Sequence, residues 1–198
     1  MILRAFLVLL IVATVSPVVL GQERGWDPDE TYRRAQRLVD EGQLRRGLAL
    51  FLQIKERAPY FRPLGVQREV CQLYERLGDI SKALEEYEDL ISRYPWARDR
   101  IQILVRMAAM AEVALHDLDK AWGYLEKIPE DKVPHTDMAP YLFNKGYLLE
   151  KMGRTQDALG LYNRLIEEYP DTVGAFWAKE RVDELGQGKP LGAQESGE

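Results

Sequence analysis

The sequence predicts an all-α fold, an α-solenoid of about four helical hairpins plus a C-terminal capping helix. Three observations predict it. Residues 71–95 (CQLYERLGDISKALEEYEDLISRYP) and 146–170 (GYLLEKMGRTQDALGLYNRLIEEYP) align without a gap at an offset of 75. Within them Ala83, Leu84, Tyr87, Leu90, Ile91, Tyr94 and Pro95 recur as Ala158, Leu159, Tyr162, Leu165, Ile166, Tyr169 and Pro170, and steps of one, three, three, one and three residues trace one stripe of a helix. Nothing alternates with period two for long enough to argue a strand.

The first twenty residues stand apart from that pattern. Ala5 to Leu20 carry no charge, follow Arg4 and end in Val19-Leu20-Gly21, the small-residue pattern that signal peptidases accept. Residues 1–21 are therefore expected to be a signal peptide cut near Gly21–Gln22. The alternative is an uncleaved N-terminal anchor, since an apolar run of about 16–18 residues is at the short edge of what spans a bilayer about 30 Å thick. Pro17 favours the cleaved signal. A lipoprotein anchor is disfavoured, because the single cysteine is Cys71, far from the cut. Either route places the rest of the chain outside the cytoplasm, periplasmic or secreted, with membrane contact only through residues 1–20 if they stay attached.

After a linker at 22–27, the repeat domain is expected over 28–185. Helices are predicted at 29–41 and 44–57, 64–77 and 80–93, 98–115 and 118–127, 140–152 and 155–168, with a capping helix at 172–185. The register residues Gly47, Ala83, Ala121 and Ala158 are 36, 38 and 37 residues apart. Gly42, Gly78 and Gly153 close the first helix of their copies, since a residue without Cβ takes the left-handed conformation freely, and His116 stands in the same place in the third. Asp79, Asp117 and Thr155 are expected N-caps, and Pro59, Pro95 and Pro170 stop the second helices. Residues 101–115 (IQILVRMAAMAEVAL) are apolar nearly all round, as suits a helix sandwiched mid-stack. From Gly186 the tail, 186–198, is glycine-rich and polar and expected to be disordered.

On these residues the chain resembles a tetratricopeptide repeat (TPR) protein, whose unit is a helical hairpin of about 34 residues. The family's small eighth position falls on Ala35, Cys71, Ala109 and Gly146, and its twentieth on Gly47, Ala83, Ala121 and Ala158. The twenty-fourth is Phe51, Tyr87, Leu125 and Tyr162; the thirty-second is Pro59, Pro95, Val133 and Pro170. Repeats are thus expected at about 28–61, 64–97, 102–135 and 139–171, clear in the second and fourth and degraded in the first and third. The family's early tryptophan is replaced by Thr31, Gln67, Val105 and Leu142. Small residues on facing helices allow close approach while the aromatic fills the space beside them, and neighbouring repeats bury what one hairpin cannot.

Composition excludes several functions. With 27 basic and 32 acidic residues the net charge is −5, so a strongly basic nucleic-acid binder is disfavoured. One cysteine makes no internal disulfide, and two histidines beside it offer little to a soft metal. Glu130, Asp131, His135 and Asp137, in what reads as the loop PEDKVPHTDMAP, make at most a weak metal cluster. No nucleophile with a base and an orienting partner is recognisable, nor a phosphate loop, so no enzyme, metal or cofactor is expected. Cys71 reads as a buried, inert thiol, Trp122 and Trp177 as packing residues, and Trp26 and Trp96 as staples beside helix starts.

The resemblance implies a binding role. In the family the first helix of each repeat lines a concave groove, and its fifth and ninth positions give Tyr32 and Gln36, Arg68 and Gln72, Arg106 and Met110, Phe143 and Tyr147. Aromatic faces at the ends and two guanidinium groups near the middle suit an extended peptide carrying a carboxylate or aromatic side chains. The alternative is that the arginines are solvated charges and the aromatics pack on neighbouring helices. Tyr32 and Gln36 depart from the lysine and asparagine of the carboxylate-clamp subgroup, which is therefore not implied. LISRYP and LIEEYP, second helices ending in tyrosine–proline, are similar to exported bacterial cell-envelope repeats. The implied function is a non-catalytic extracytoplasmic adaptor for a protein or peptide in cell-envelope assembly or maintenance. The alternative is a membrane-tethered structural subunit of a larger envelope complex that works through its convex or terminal faces.

Overall fold

The computed structural model describes residues 25–188, which form nine α-helices and one 3-10 turn. The expected signal or anchor at 1–21, the first part of the linker and tail residues 189–198 lie outside the described residues. The helices are α1 Pro28–Asp40, α2 Leu44–Arg57, α3 Pro63–Arg76, α4 Ile80–Arg93, α5 Arg100–Leu115, α6 Leu118–Glu126, α7 His135–Lys151, α8 Thr155–Glu168 and α9 Val173–Gly186, with the 3-10 turn at Glu130–Lys132. Consecutive helices pack in antiparallel pairs, α1 with α2, α3 with α4, α5 with α6 and α7 with α8, and each pair rests on the next through α2 on α3, α4 on α5 and α6 on α7. Helix α9 covers both α8 and α7, as a capping helix should.

The predicted stripe is the core. Ala83, Leu84, Tyr87 and Leu90 are buried in α4, as are Ala158, Tyr162 and Leu165 in α8. Close approach of paired helices depends on the small residues. A Cβ on Gly146 would lie 2.8 Å from Tyr162 Cε1, and one on Gly47 would lie 2.6 Å from Val39 Cγ2 and 3.2 Å from the Ala35 carbonyl oxygen. Gly42, Gly78 and Gly153 have φ of +76°, +77° and +73°, and His116 adopts the same left-handed turn at φ 55°.

Capping departs from expectation in detail. Asp117 caps α6 by accepting from the Lys120 N–H, but Asp79 makes no such bond, and Thr155 is the first residue of α8 behind Arg154. Asp27 and Thr172 supply caps for α1 and α9. Trp26 packs beside α2 with the Arg57 guanidinium 4.6 Å from its ring, whereas Trp96 is 72% exposed and meets the Tyr94 ring edge-on at 5.8 Å. Trp122 is half-buried between the cations of Lys145 and Arg154, and Trp177 remains half-exposed rather than packed.

Two corrections matter for the site. Helix α7 starts at His135, not near residue 140, so Pro140 lies inside it. The proline removes only the bond to the carbonyl four residues earlier, and its exposed position near the N-terminal end lets the helix tolerate this. His135 is thereby helical, its ring 5.2 Å from Tyr169, while Glu130 pairs with Arg164 at 2.5 Å. Among the described residues no cluster of three His, Cys, Asp or Glu side chains is placed to hold a metal.

The second correction is a register slip in the third repeat. At the ends of α1, α3 and α7 the closing N–H reaches back five residues, as Asp79 does to the Tyr74 carbonyl, but Asp117 reaches back six, to Ala111. One extra residue is wound into the end of α5. The buried positions of α3, namely Val66, Gln67, Val70, Cys71 and Leu73, accordingly match Ile103, Leu104, Met107, Ala108 and Met110, 37 residues on. Ala108, not Ala109, is the small residue facing α6, and the groove positions of this repeat become Val105 and Ala109.

Candidate functional site: a cleft between α5 and α7

As with α1 and α3, and α3 and α5, the backbones of α5 and α7 do not approach closely. Helix α6 has 9 residues where α2, α4 and α8 have 14 each, and the chain then turns through the 3-10 segment before α7 begins. Between α5 and α7 lies an open cleft of about 350 Å³. Ile101, Val105 and Ala109 of α5 make one wall with Gln102 and Arg106; Asp137, Pro140, Tyr141 and Asn144 of α7 make the other; Leu125 and Val133 form the floor. Val133 stands where the other repeats have proline.

The predicted groove residues divide. Arg106 alone of the eight lines this cleft. Met110 is 8% exposed and belongs to the core, because the register slip turns it inward. Tyr32 is also buried, edge-on to Phe51 at 5.3 Å and beneath the Arg62 guanidinium at 5.0 Å, so it packs the first repeat instead of facing a ligand. Gln36 and Gln72 are exposed. Phe143 and Tyr147 are half-buried and stacked at 6.3 Å, with Phe143 also 5.8 Å from Tyr162 and Lys151 over the Tyr147 ring at 4.8 Å.

Both arginines already have carboxylate partners. Arg68 reaches Asp99 at the start of α5 at 2.5 Å, and Arg106 reaches Glu75 of α3 at 3.3 Å. Glu75 also accepts from the Tyr87 hydroxyl at 3.1 Å. The same arrangement recurs 75 residues later: Tyr162 donates to Glu150 at 3.1 Å, and Arg181 of α9 grips both oxygens of Glu150. Burial, then the adjacent carboxylate, pushes the Tyr87 and Tyr162 phenols well above their ordinary range, so both stay donors at any physiological pH. The arginines are thus inter-helix ties before they are ligand contacts. With Arg106 engaged at one edge, the cleft offers mainly apolar walls, the Gln102 and Asn144 amides and the Asp137 carboxylate. That combination buries apolar side chains and hydrogen-bonds an extended backbone without demanding a charged ligand.

The tetratricopeptide repeat profile matches residues 72–95 and 141–172. In those two stretches the chain carries tetratricopeptide repeats. No curated protein matches it. Among solved structures, a tetratricopeptide repeat protein from Parabacteroides merdae is similar with a TM-score of 0.65 and 17% identity, covering 81% of this chain and 60% of that one. The chain therefore spans less than two thirds of that protein. YrrB, described as a TPR protein with an unusual peptide-binding site, is similar at a TM-score of 0.56 and 17% identity, over 82% of this chain and 78% of that one. MamA from Desulfovibrio magneticus RS-1 gives a TM-score of 0.54 and 14% identity, over 74% and 78%. Stacked repeats of this kind form extended concave surfaces used for protein binding.

The cleft itself was missed in the sequence. Val105 and Ala109 were hidden by the register slip, and Pro140, Tyr141 and Asn144 by the late start expected for α7. The one available signal was Val133, a departure from the proline of the other repeats.

Proposed function

We propose that the chain is a non-catalytic TPR scaffold that holds an extended, apolar segment of a protein partner between α5 and α7. The α5–α7 cleft carries the proposal, open to solvent and walled by Val105, Ala109 and Asn144. A peptide seated there would bury apolar side chains against Ile101 and Leu125 and meet Gln102 and Asn144 with its backbone. The peptide-binding site named for YrrB supports the class of ligand. The uncharged run from Ala5 to Leu20 supports export to the periplasm or beyond, and the tyrosine–proline helix ends support work in cell-envelope assembly or maintenance.

A photoreactive residue at position 105 or 144 tests the site, with position 163 on the exposed surface of α8 as the control. Capture of the same protein at both cleft positions and not at 163 is the expected result. Equal capture at 163, or none at either cleft position, removes the cleft as the binding site and favours the membrane-tethered subunit that works through other faces. Mass measurement of the native chain tests export: loss of residues 1–21 agrees with a free extracytoplasmic scaffold, and their retention with an anchored one.

A further inference from the structure

The two ends of the stack carry helix faces that no described element covers. On α9, Ala175 and Ala178 are buried, with Val182 and Leu185 packed against the core, whereas Val173, Phe176 and Trp177 are 74%, 56% and 50% exposed. The Phe176 and Trp177 rings meet edge-on at 5.3 Å. Helical spacing continues this strip to Glu180, Asp183 and Glu184, so it is apolar for its first turns and acidic beyond. Glu184 pairs with Arg181 of the same helix, but Glu180 and Asp183 have no ion-pair partner among the described residues. At the other end, α1 buries Tyr32 and Ala35 and turns Glu30, Arg33, Arg34 and Arg37 to solvent. Arg33 pairs with Asp29 at 3.0 Å, while Arg34 and Arg37 have no partner among the described residues.

We propose that α9 of one copy docks on α1 of a second copy, head to tail. Charge sorts the possible pairings. An α9–α9 contact sets Glu180 and Asp183 against their own copies, and an α1–α1 contact sets Arg33, Arg34 and Arg37 against theirs, offset only in part by Glu30 and Asp40. Of the three, α9 on α1 brings the free carboxylates Glu180 and Asp183 to the free guanidinium groups Arg34 and Arg37 and also lays those groups over the Phe176 and Trp177 faces. The contact is heterologous, so each copy keeps one unsatisfied end, and copies either continue in a row or close into a ring. It repeats between molecules the helix stacking that builds each one, and it stands whether or not the α5–α7 cleft binds a peptide.

The single native cysteine is buried, so an introduced surface cysteine is the reactive thiol. Full-length chains carrying Arg37→Cys and Glu180→Cys are mixed and treated with a short bismaleimide, after circular dichroism shows that each keeps the parent spectrum. A crosslinked dimer is expected in the mixture and in neither chain alone. Adding Arg34→Glu to the first chain lowers the yield at least about fivefold, and Asp183→Arg in the second restores it to within about twofold. Absence of dimer in the mixture, dimer in either single-chain sample at equal yield, or a yield indifferent to charge reversal overturns the proposal. The first result is the one expected if the chain's own residues 189–198 cover α9.

Discussion

Removing the Arg181 guanidinium tests how the repeats are tied together. Arg181 links α9 to Glu150 of α7, and the Glu150 side chain is 3% exposed while that of Arg181 is 15% exposed. The equivalent tie between Arg106 and Glu75 sits in the open, at 52% and 30% exposure. Breaking a buried pair by deleting one partner costs about 3–5 kcal/mol, because the remaining charge is left unpaired in a poor solvent. Here the Tyr162 hydroxyl still donates to Glu150 and some water reaches the site, so Arg181→Met is expected to cost about 2–3 kcal/mol. Arg106→Met, at a solvated pair, should cost no more than about 1 kcal/mol. Urea unfolding followed by circular dichroism gives both values, and hydrogen exchange shows whether the loss is local. The terminal helix can open without the rest of the stack, so faster exchange in 173–186 should accompany the Arg181 change. Adding Glu150→Gln to Arg181→Met should recover at least about half of the loss, since the unpaired charge is gone. Equal costs at the two sites, or less than about 0.5 kcal/mol for Arg181→Met, would refute the assignment of Glu150 as a buried charge that depends on α9.

Other consequences are open to direct measurement. Gly146→Ala pushes a Cβ to 2.8 Å from a ring that is fully buried and hydrogen-bonded at its far end. The overpacking outweighs alanine's helix preference, and a net loss of about 1 kcal/mol is expected in denaturant titrations. Met110→Ala should destabilise by about 2–4 kcal/mol and leave partner capture unchanged per folded molecule. Val105→Glu should do the reverse, with stability changed by less than about 1 kcal/mol and capture at position 144 lost. Cys71, whose thiol is pushed well above its usual range by burial and then by the nearby Glu86 carboxylate, should ignore a thiol reagent in the folded chain and react once urea unfolds it.

The second and fourth repeats were the most legible because their helices are amphipathic and each ends in a left-handed glycine and a proline. Their stripes give one register and no competitor. The third repeat lacked those constraints. In the run Met107-Ala108-Ala109-Met110-Ala111 three alanines compete for the small position, and counting back from His116 assumes a turn of ordinary length. The hydrogen bond from Asp117 to Ala111 shows that the turn is one residue longer, a difference of backbone geometry that leaves no mark in residue type. Pro140 misled in another way, since proline is commoner at a helix start than inside one. The candidate cleft lies where these two ambiguities meet, so its α5 and α7 walls were not expected, while four of the eight expected groove residues, Tyr32, Gln36, Arg68 and Gln72, stand on α1 and α3 away from it. The ties through Glu75 and Glu150 were equally hidden, because a charged residue on an amphipathic helix reads as solvated until its partner from the next repeat is placed beside it.

Hydrogen–deuterium exchange of the full chain, with and without the peptide segment recovered by crosslinking, tests binding between α5 and α7 most directly. Protection confined to residues 100–109 and 135–144 is the predicted result. Protection of α2, α4 or α8 with those two stretches unchanged would contradict it.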